Sequence, residues 1–379
     1  MSLPKRIDSI DAMRGLGILG ITPIHTLLVF AKADVFSTSN TTWNPNLAFP
    51  YFFFIISGMC LAISIGRRRR NQNLREIYTH ALFRYGGYIL LSIIMTVAIS
   101  VTVMHLFRDT IDLHQIYRNI LRWSEPIRGI GLSCLVSFLP VFYMTTTELL
   151  VTSTLMFSLS SLILYNIHDP FLYGPLTPIL ITGMYSLIKT VPSILFGAAF
   201  GKIIIENLLQ NPERNRSSPL VPSKTILTTG IIMVTMIELA FFLLTVRDSW
   251  QLCGVDVAGF TAIGNSTKGL LFIKIGGPYQ ISSAFSIGGF MILLGWFENL
   301  ASSGHTFKYI SFIGRTGIQI FIAHFLLLIL EALLLGTTMI APALLLALIL
   351  LNSSLMYVFA YFYDRQGLNA KIKMALGMK

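Results

Sequence analysis

Residues 6–25 read RIDSIDAMRGLGILGITPIH, and two folds compete for them. GLGILG, residues 15–20, matches G-x-G-x-x-G, which in a dinucleotide-binding domain follows a strand and opens a helix within a βαβ unit. Here a polar, charged leader precedes the glycines and an apolar run follows them through Phe30. Without the strand the nucleotide reading fails. In a membrane helix the same glycines are packing residues, because small side chains let helices approach closely in lipid. The alternative reading is that Gly15 and Gly17 leave room for a ligand beside Arg14.

Working outward, the rest of the chain favours the membrane. Of 379 residues, 54% are hydrophobic and 12% charged, with a mean hydropathy of +0.70. A soluble domain carries about 25% charge, so this chain lacks the groups to cover a water-facing surface. Its apolar runs approach or exceed the ~20 residues a spanning helix needs. The alternating ten-residue segments of a membrane barrel are absent. The sequence predicts an all-α polytopic protein, a single domain over 1–379. Ten spans are expected at 10–31, 47–66, 80–106, 129–144, 146–166, 185–208, 224–246, 279–298, 309–335 and 338–363. The N-terminus could also be read as a signal peptide cleaved near Ala31-Lys32-Ala33. Its apolar run is long for one, and the charge distribution works best with it retained.

Charge sets the orientation. With the N-terminus cytoplasmic, sixteen of the 28 Lys and Arg residues fall inside, eight outside and four in or at helices. The positive-inside rule then puts both termini in the cytoplasm, with Arg67–Arg70 as the strongest anchor. Two long outer loops follow, 107–128 and 247–278, and Asn40-Thr41-Thr42 and Asn265-Ser266-Thr267 are outward-facing sequons. The net charge of +11 is explained by topology and anionic lipid head groups, without nucleic acid. Cys60, Cys134 and Cys253 show no metal-ligand spacing, and no metal is expected.

Arg14 and His25 are eleven positions apart, just over three helical turns, so they share one face about 16 Å apart along the axis. Ionisable groups at that depth are functional candidates. Pro23 cannot donate to the carbonyl of Leu19 and so loosens the helix just before His25, which predicts a polar cavity there. Each residue has a structural reading too: Arg14 paired with Asp11 three residues earlier, His25 in a hydrogen bond between helices. In FIGRTGIQIFIAHF, 312–325, a second pair appears. Arg315 and His324 are nine steps apart, on opposite faces of an ideal helix, while Glu331 shares nearly the face of His324. Glu148, Glu238 and Glu298 are further ionisable candidates with structural pairing as the equal alternative. Ser57-Gly58 and Gly197/Gly201 read first as helix packing.

The opening stretch resembles the first helix of membrane-bound acyltransferases (acyltransferase family 3), with their R-x10-H motif. FFFIISG, 52–58, and FIGRTGIQIFIAH, 312–324, look like two further segments of that group. WNPNLAFPYFFFIISG, 43–58, is also similar to heparan-α-glucosaminide N-acetyltransferase and its prokaryotic relatives. That family has a functional histidine just before this stretch; no histidine lies between His25 and His80 here, so it has no counterpart. The resemblance covers about the first 70 residues and 312–325. It implies an integral membrane enzyme of the cell membrane or an equivalent one. Such an enzyme moves an acetyl or other acyl group from cytoplasmic acyl-CoA to a hydroxyl or amine of a sugar or glycan outside. His25 is then the general base. Arg14, oriented by Asp11, and Arg315 hold the CoA phosphates of acetyl-CoA, while Ser57, His324, Trp43 and Asn44 face the acceptor. Membrane lipids are the surrounding partners and a homodimer is left open. The rival reading is a proton-coupled transporter or sugar-lipid flippase using the buried His and Glu residues as relays.

Overall fold

The computed structural model describes residues 7–30, 45–107, 112–113, 116–117, 120, 126–166, 178–182, 185–210, 220–236, 277–305, 307–335 and 341–368. Among them the chain is helical and contains no strand. In chain order the helices are α1 (Asp8–Phe30), α2 (Pro45–Arg68), α3 (Leu74–Phe107), α4 (Pro126–Tyr143) and α5 (Thr146–Asn166). After a short π-helical turn at Pro178–Thr182 comes α6 (Leu187–Gln210). Then follow α7 (Ser223–Met236), α8 (Gly277–Ser302), α9 (Lys308–Arg315), α10 (Gly317–Leu335) and α11 (Pro342–Arg365).

Six of these are long and apolar enough to cross a membrane: Tyr51–Arg68, Leu74–Val101, Pro126–Tyr143, Leu187–Leu209, Gly317–Leu335 and Ala343–Arg365. The most apolar of them are among the least buried. The α10 and α11 segments have mean hydropathies of 2.4 and 2.2, yet only 22% of each is buried. Leu326, Leu334, Leu346 and Leu350 stand exposed. A water-soluble protein turns such faces inward; apolar faces that turn outward on self-satisfied helices are what a hydrocarbon solvent demands. The chain is therefore a multi-pass helical membrane protein in character.

The residues divide into two compact units. The first comprises 1–49, 213–229 and 291–379; the second comprises 50–212 and 230–290. In the second, α2 and α6 meet backbone to backbone. A Cβ on Gly58 would run into the carbonyl of Ile194, and one on Gly197 into the carbonyl of Ile55. The packing reading of these glycines holds. Phe54, Tyr85, Cys134, Phe138 and Leu195 fill the core around them. The turn between α4 and α5 is a reciprocal cap: Thr145 donates its N–H and hydroxyl to Glu148 Oε2 at 2.6 and 2.9 Å. The Glu148 N–H returns to Thr145 Oγ1 at 3.3 Å. Glu148 is exposed and structural, a capping box that starts a new helix. The arginine run is partly tied down as well. Arg68 donates to Gln72 and His80, and Arg69 lies over the Phe142 ring at 4.8 Å.

In the first unit α1 packs on α9, α10 and α11. Glu298 of α8, only 2% exposed, accepts from the Ser9 hydroxyl at 2.5 Å and from the Leu220 N–H at 2.7 Å. It ties the start of α1 to α8 and to the approach to α7.

Candidate functional site

The site begins with a close approach of two glycines. A Cβ on Gly314 would collide with the carbonyl of Asp11, and one on Gly15 with the carbonyl of Ile310. Gly15 of GLGILG and Gly314 of FIGRTG thus let α1 and α9 touch along their backbones. This leaves no ligand space at Gly15. The contact brings the second Arg-His segment against the first.

That second segment is not one helix. The 309–335 span expected from the sequence breaks at Thr316, between α9 and α10. The Thr316 hydroxyl donates to the carbonyls of Phe312 and Ile313, at 3.0 and 3.2 Å, which satisfies groups at the end of α9 while the chain turns into Gly317. An ideal continuous helix therefore does not describe how Arg315 and His324 face each other.

Near the break lies a group of charges. Arg14 Nη1 is 3.5 Å from Asp11 Oδ1, the i, i+3 pair expected from the spacing, and the Arg14 side chain is 28% exposed. Its Nη2 lies 4.0 Å from where a Cβ on Gly317 would stand, so the guanidinium sits beside the break. Arg315 makes a two-pronged pair with Asp364 of α11, Nε to Oδ1 at 3.0 Å and Nη2 to Oδ2 at 2.6 Å. This bidentate geometry is the strong form of the pair. It joins the end of α9 to α11, a partner the sequence reading did not single out.

Deeper in the same unit, α1 carries its proline without breaking: Pro23 lies inside Asp8–Phe30. Just past it, His25 Nδ1 is 2.7 Å from Nε2 of His324. The ring centroids are 5.0 Å apart and the planes 23° apart. His324 is buried and its Nδ1 lies 3.2 Å from the Ile320 carbonyl. Phe321 and Phe325 flank both rings, with Phe325 4.5 Å from His324 and 5.1 Å from His25. One helical position on, the Thr26 hydroxyl donates to the Thr22 carbonyl and accepts from Asn352 Nδ2 at 3.2 Å. Asn352 Nδ2 also donates to Glu331 Oε2 at 2.9 Å. Asn352 is fully buried.

No family model, curated protein or solved structure matches this chain. Its site is read from its own residues.

Arg14, Asp11, His25, Arg315 and His324 all lie in the first unit. Ser57 belongs to α2 in the second unit, half-buried beside the packing glycine Gly58. Trp43, Asn44 and Glu238 lie outside the described residues. Among the described residues no group of three or more His, Cys, Asp or Glu side chains is placed to hold a metal ion. Thr26, Thr316 and Asn352 were missed by sequence reasoning. Asn352 had a signal, a lone amide in an apolar run. Thr26 and Thr316 had none, because threonine is common in membrane helices. Chemically, the first unit offers a partly exposed cation at one level of α1 and, about 16 Å along it, an imidazole pair of half-buried His25 and buried His324.

Proposed function

We propose that the protein is a membrane acyltransferase that carries an acetyl group from cytoplasmic acetyl-CoA to a hydroxyl or amine of a sugar or glycan on the far side. The observation that carries the reading is the His25–His324 contact, three turns along α1 from Arg14. A histidine held by a second histidine is a positioned base, and imidazole suits proton transfer near neutral pH. Arg14, braced by Asp11, is the anchor for the donor's phosphates. Arg315 adds charge at the same end of α1 while its fork holds Asp364. The donor's long arm spans the distance to His25 along one helix face.

In this mechanism His25 takes the proton as the acceptor's oxygen or nitrogen attacks the thioester carbonyl. The C–S bond breaks as the tetrahedral intermediate collapses, and the His25 imidazolium returns the proton to the leaving thiolate. Trp43 and Asn44 are assigned to the acceptor. Ten spans with both termini cytoplasmic, in the cell membrane or its equivalent, complete the proposal.

The test is acetyl transfer by purified protein supplied with labelled acetyl-CoA and a panel of glycans and amino sugars. His25→Ala is expected to lower the rate by about 1,000-fold or more while acetyl-CoA still binds; near-normal transfer would remove His25 from the role. The buried Glu331–Asn352 pair favours one alternative, a proton-coupled transporter or sugar-lipid flippase. Absence of acetyl-CoA binding, with transport that follows a pH gradient, would establish it.

A further inference from the structure

We infer that His324 is a positioning residue that sets the tautomer of His25, so that the base presents Nε2 to the reacting groups. The inference rests on the acyl-transfer reading for its kinetic consequence and on the hydrogen-bond chain alone for its geometry. The chain is anchored at the Ile320 carbonyl, 3.2 Å from His324 Nδ1. A carbonyl oxygen only accepts, so this contact places a proton on Nδ1. A neutral imidazole carries one N–H, which leaves His324 Nε2 with a lone pair. That lone pair is 2.7 Å from His25 Nδ1. Two lone pairs do not meet at such a distance, so His25 Nδ1 carries the proton and donates it. By elimination the lone pair of neutral His25 is on Nε2.

Neither ring can change its tautomer alone. Moving the His25 proton to Nε2 would set two lone pairs against each other. Flipping His324 as well would abandon the Ile320 carbonyl. The phenyl rings of Phe321 and Phe325 restrict rotation of both imidazoles. When His25 Nε2 accepts the acceptor's proton, its Nδ1–H still donates to His324, and the hydrogen bond to a neutral acceptor strengthens as His25 becomes cationic. His324 thus fills, with a neutral ring and a backbone carbonyl, the orienting place that a carboxylate fills in a Ser-His-Asp triad. It touches no substrate in this scheme.

The test uses the full chain in lipid nanodiscs, uniformly labelled with 15N-histidine. The spectrum of His25→Ala, subtracted from that of the wild type, identifies the His25 ring signals. The wild type is expected to show His25 protonated at Nδ1 and bare at Nε2; the opposite tautomer overturns the inference. His324→Gln puts an amide oxygen within reach of the same Nδ1–H and is expected to keep the wild-type tautomer. His324→Leu removes the acceptor and is expected to give a mixture. In acetyl transfer, His324→Leu should lose about 100-fold or more in kcat with the KM for acetyl-CoA within about twofold, and His324→Gln should recover to within about tenfold of wild type. Unchanged kcat in a folded His324→Leu, or no recovery in a folded His324→Gln, also overturns it. A wild type without any acetyl transfer defeats the acyltransferase reading instead, and the tautomer spectrum then decides this inference by itself.

Discussion

At position 352 an amide stands in an apolar helix, fully buried, with both of its N–H groups used. One holds the Thr26 hydroxyl and the other the Glu331 carboxyl. A polar group in such a place is costly unless satisfied, and removing one partner strands the others. Asn352→Leu is therefore expected to lower stability by about 1–3 kcal/mol, read as a lower unfolding temperature in detergent. Adding Glu331→Leu should recover most of that loss, because removing both polar partners is far less costly than orphaning one. A double variant as unstable as the single one would show that packing, not the orphaned carboxyl, is responsible. His25 differs from Asn352 in kind. Its partner is a ring that itself ends on a backbone carbonyl, an arrangement that in the proposed mechanism orients a base.

Between helices, the decisive contact is glycine on backbone. Gly314 stands where the carbonyl of Asp11 leaves no room for a methyl group, and backbone cannot swing aside as a side chain can. Gly314→Ala should push α9 off α1 and cost about 1–3 kcal/mol, as overpacking of a tight core does. The unfolding temperature is again the measurement, with Gly304→Ala as a poor control because its φ is +83° and Gly289→Ala as a good one, since nothing lies within 4 Å of a Cβ there. If Gly314→Ala proves as harmless as Gly289→Ala, the close approach is not a constraint. Helix positions were largely legible in advance. The expected 146–166 coincides with α5, and 47–66 lies inside α2. The break at Thr316 was not, because the apolar pattern runs through it undisturbed.

For the whole molecule, the two most apolar spans are only 22% buried, which fits lipid as the solvent but does not say which end faces the cytoplasm. Orientation rests on the distribution of Lys and Arg. It has a direct check in the native cysteines. Cys253 falls in the 247–278 loop assigned to the outside, while Cys60 and Cys134 fall in helices. A membrane-impermeant maleimide on intact cells is expected to label the protein, and Cys253→Ser to abolish that labelling. Labelling that appears only after the cells are opened would reverse the topology. It would also move the proposed donor entrance to the other face.

By itself the sequence determined that this is a helical membrane protein in character, where most of its described helices run, and that Arg14 and His25 share one face of the first. Hydropathy and the 3.6-residue repeat are local properties, readable in any window of a turn or two. Tertiary structure alone decided the long-range partners. His324 is 299 positions from His25, Glu298 is 289 from Ser9, and Asn352 is 326 from Thr26. Such pairings depend on which helices pack and at what height; for α1 and α9 this is the close approach at Gly15 and Gly314. No local window contains both sides of that contact.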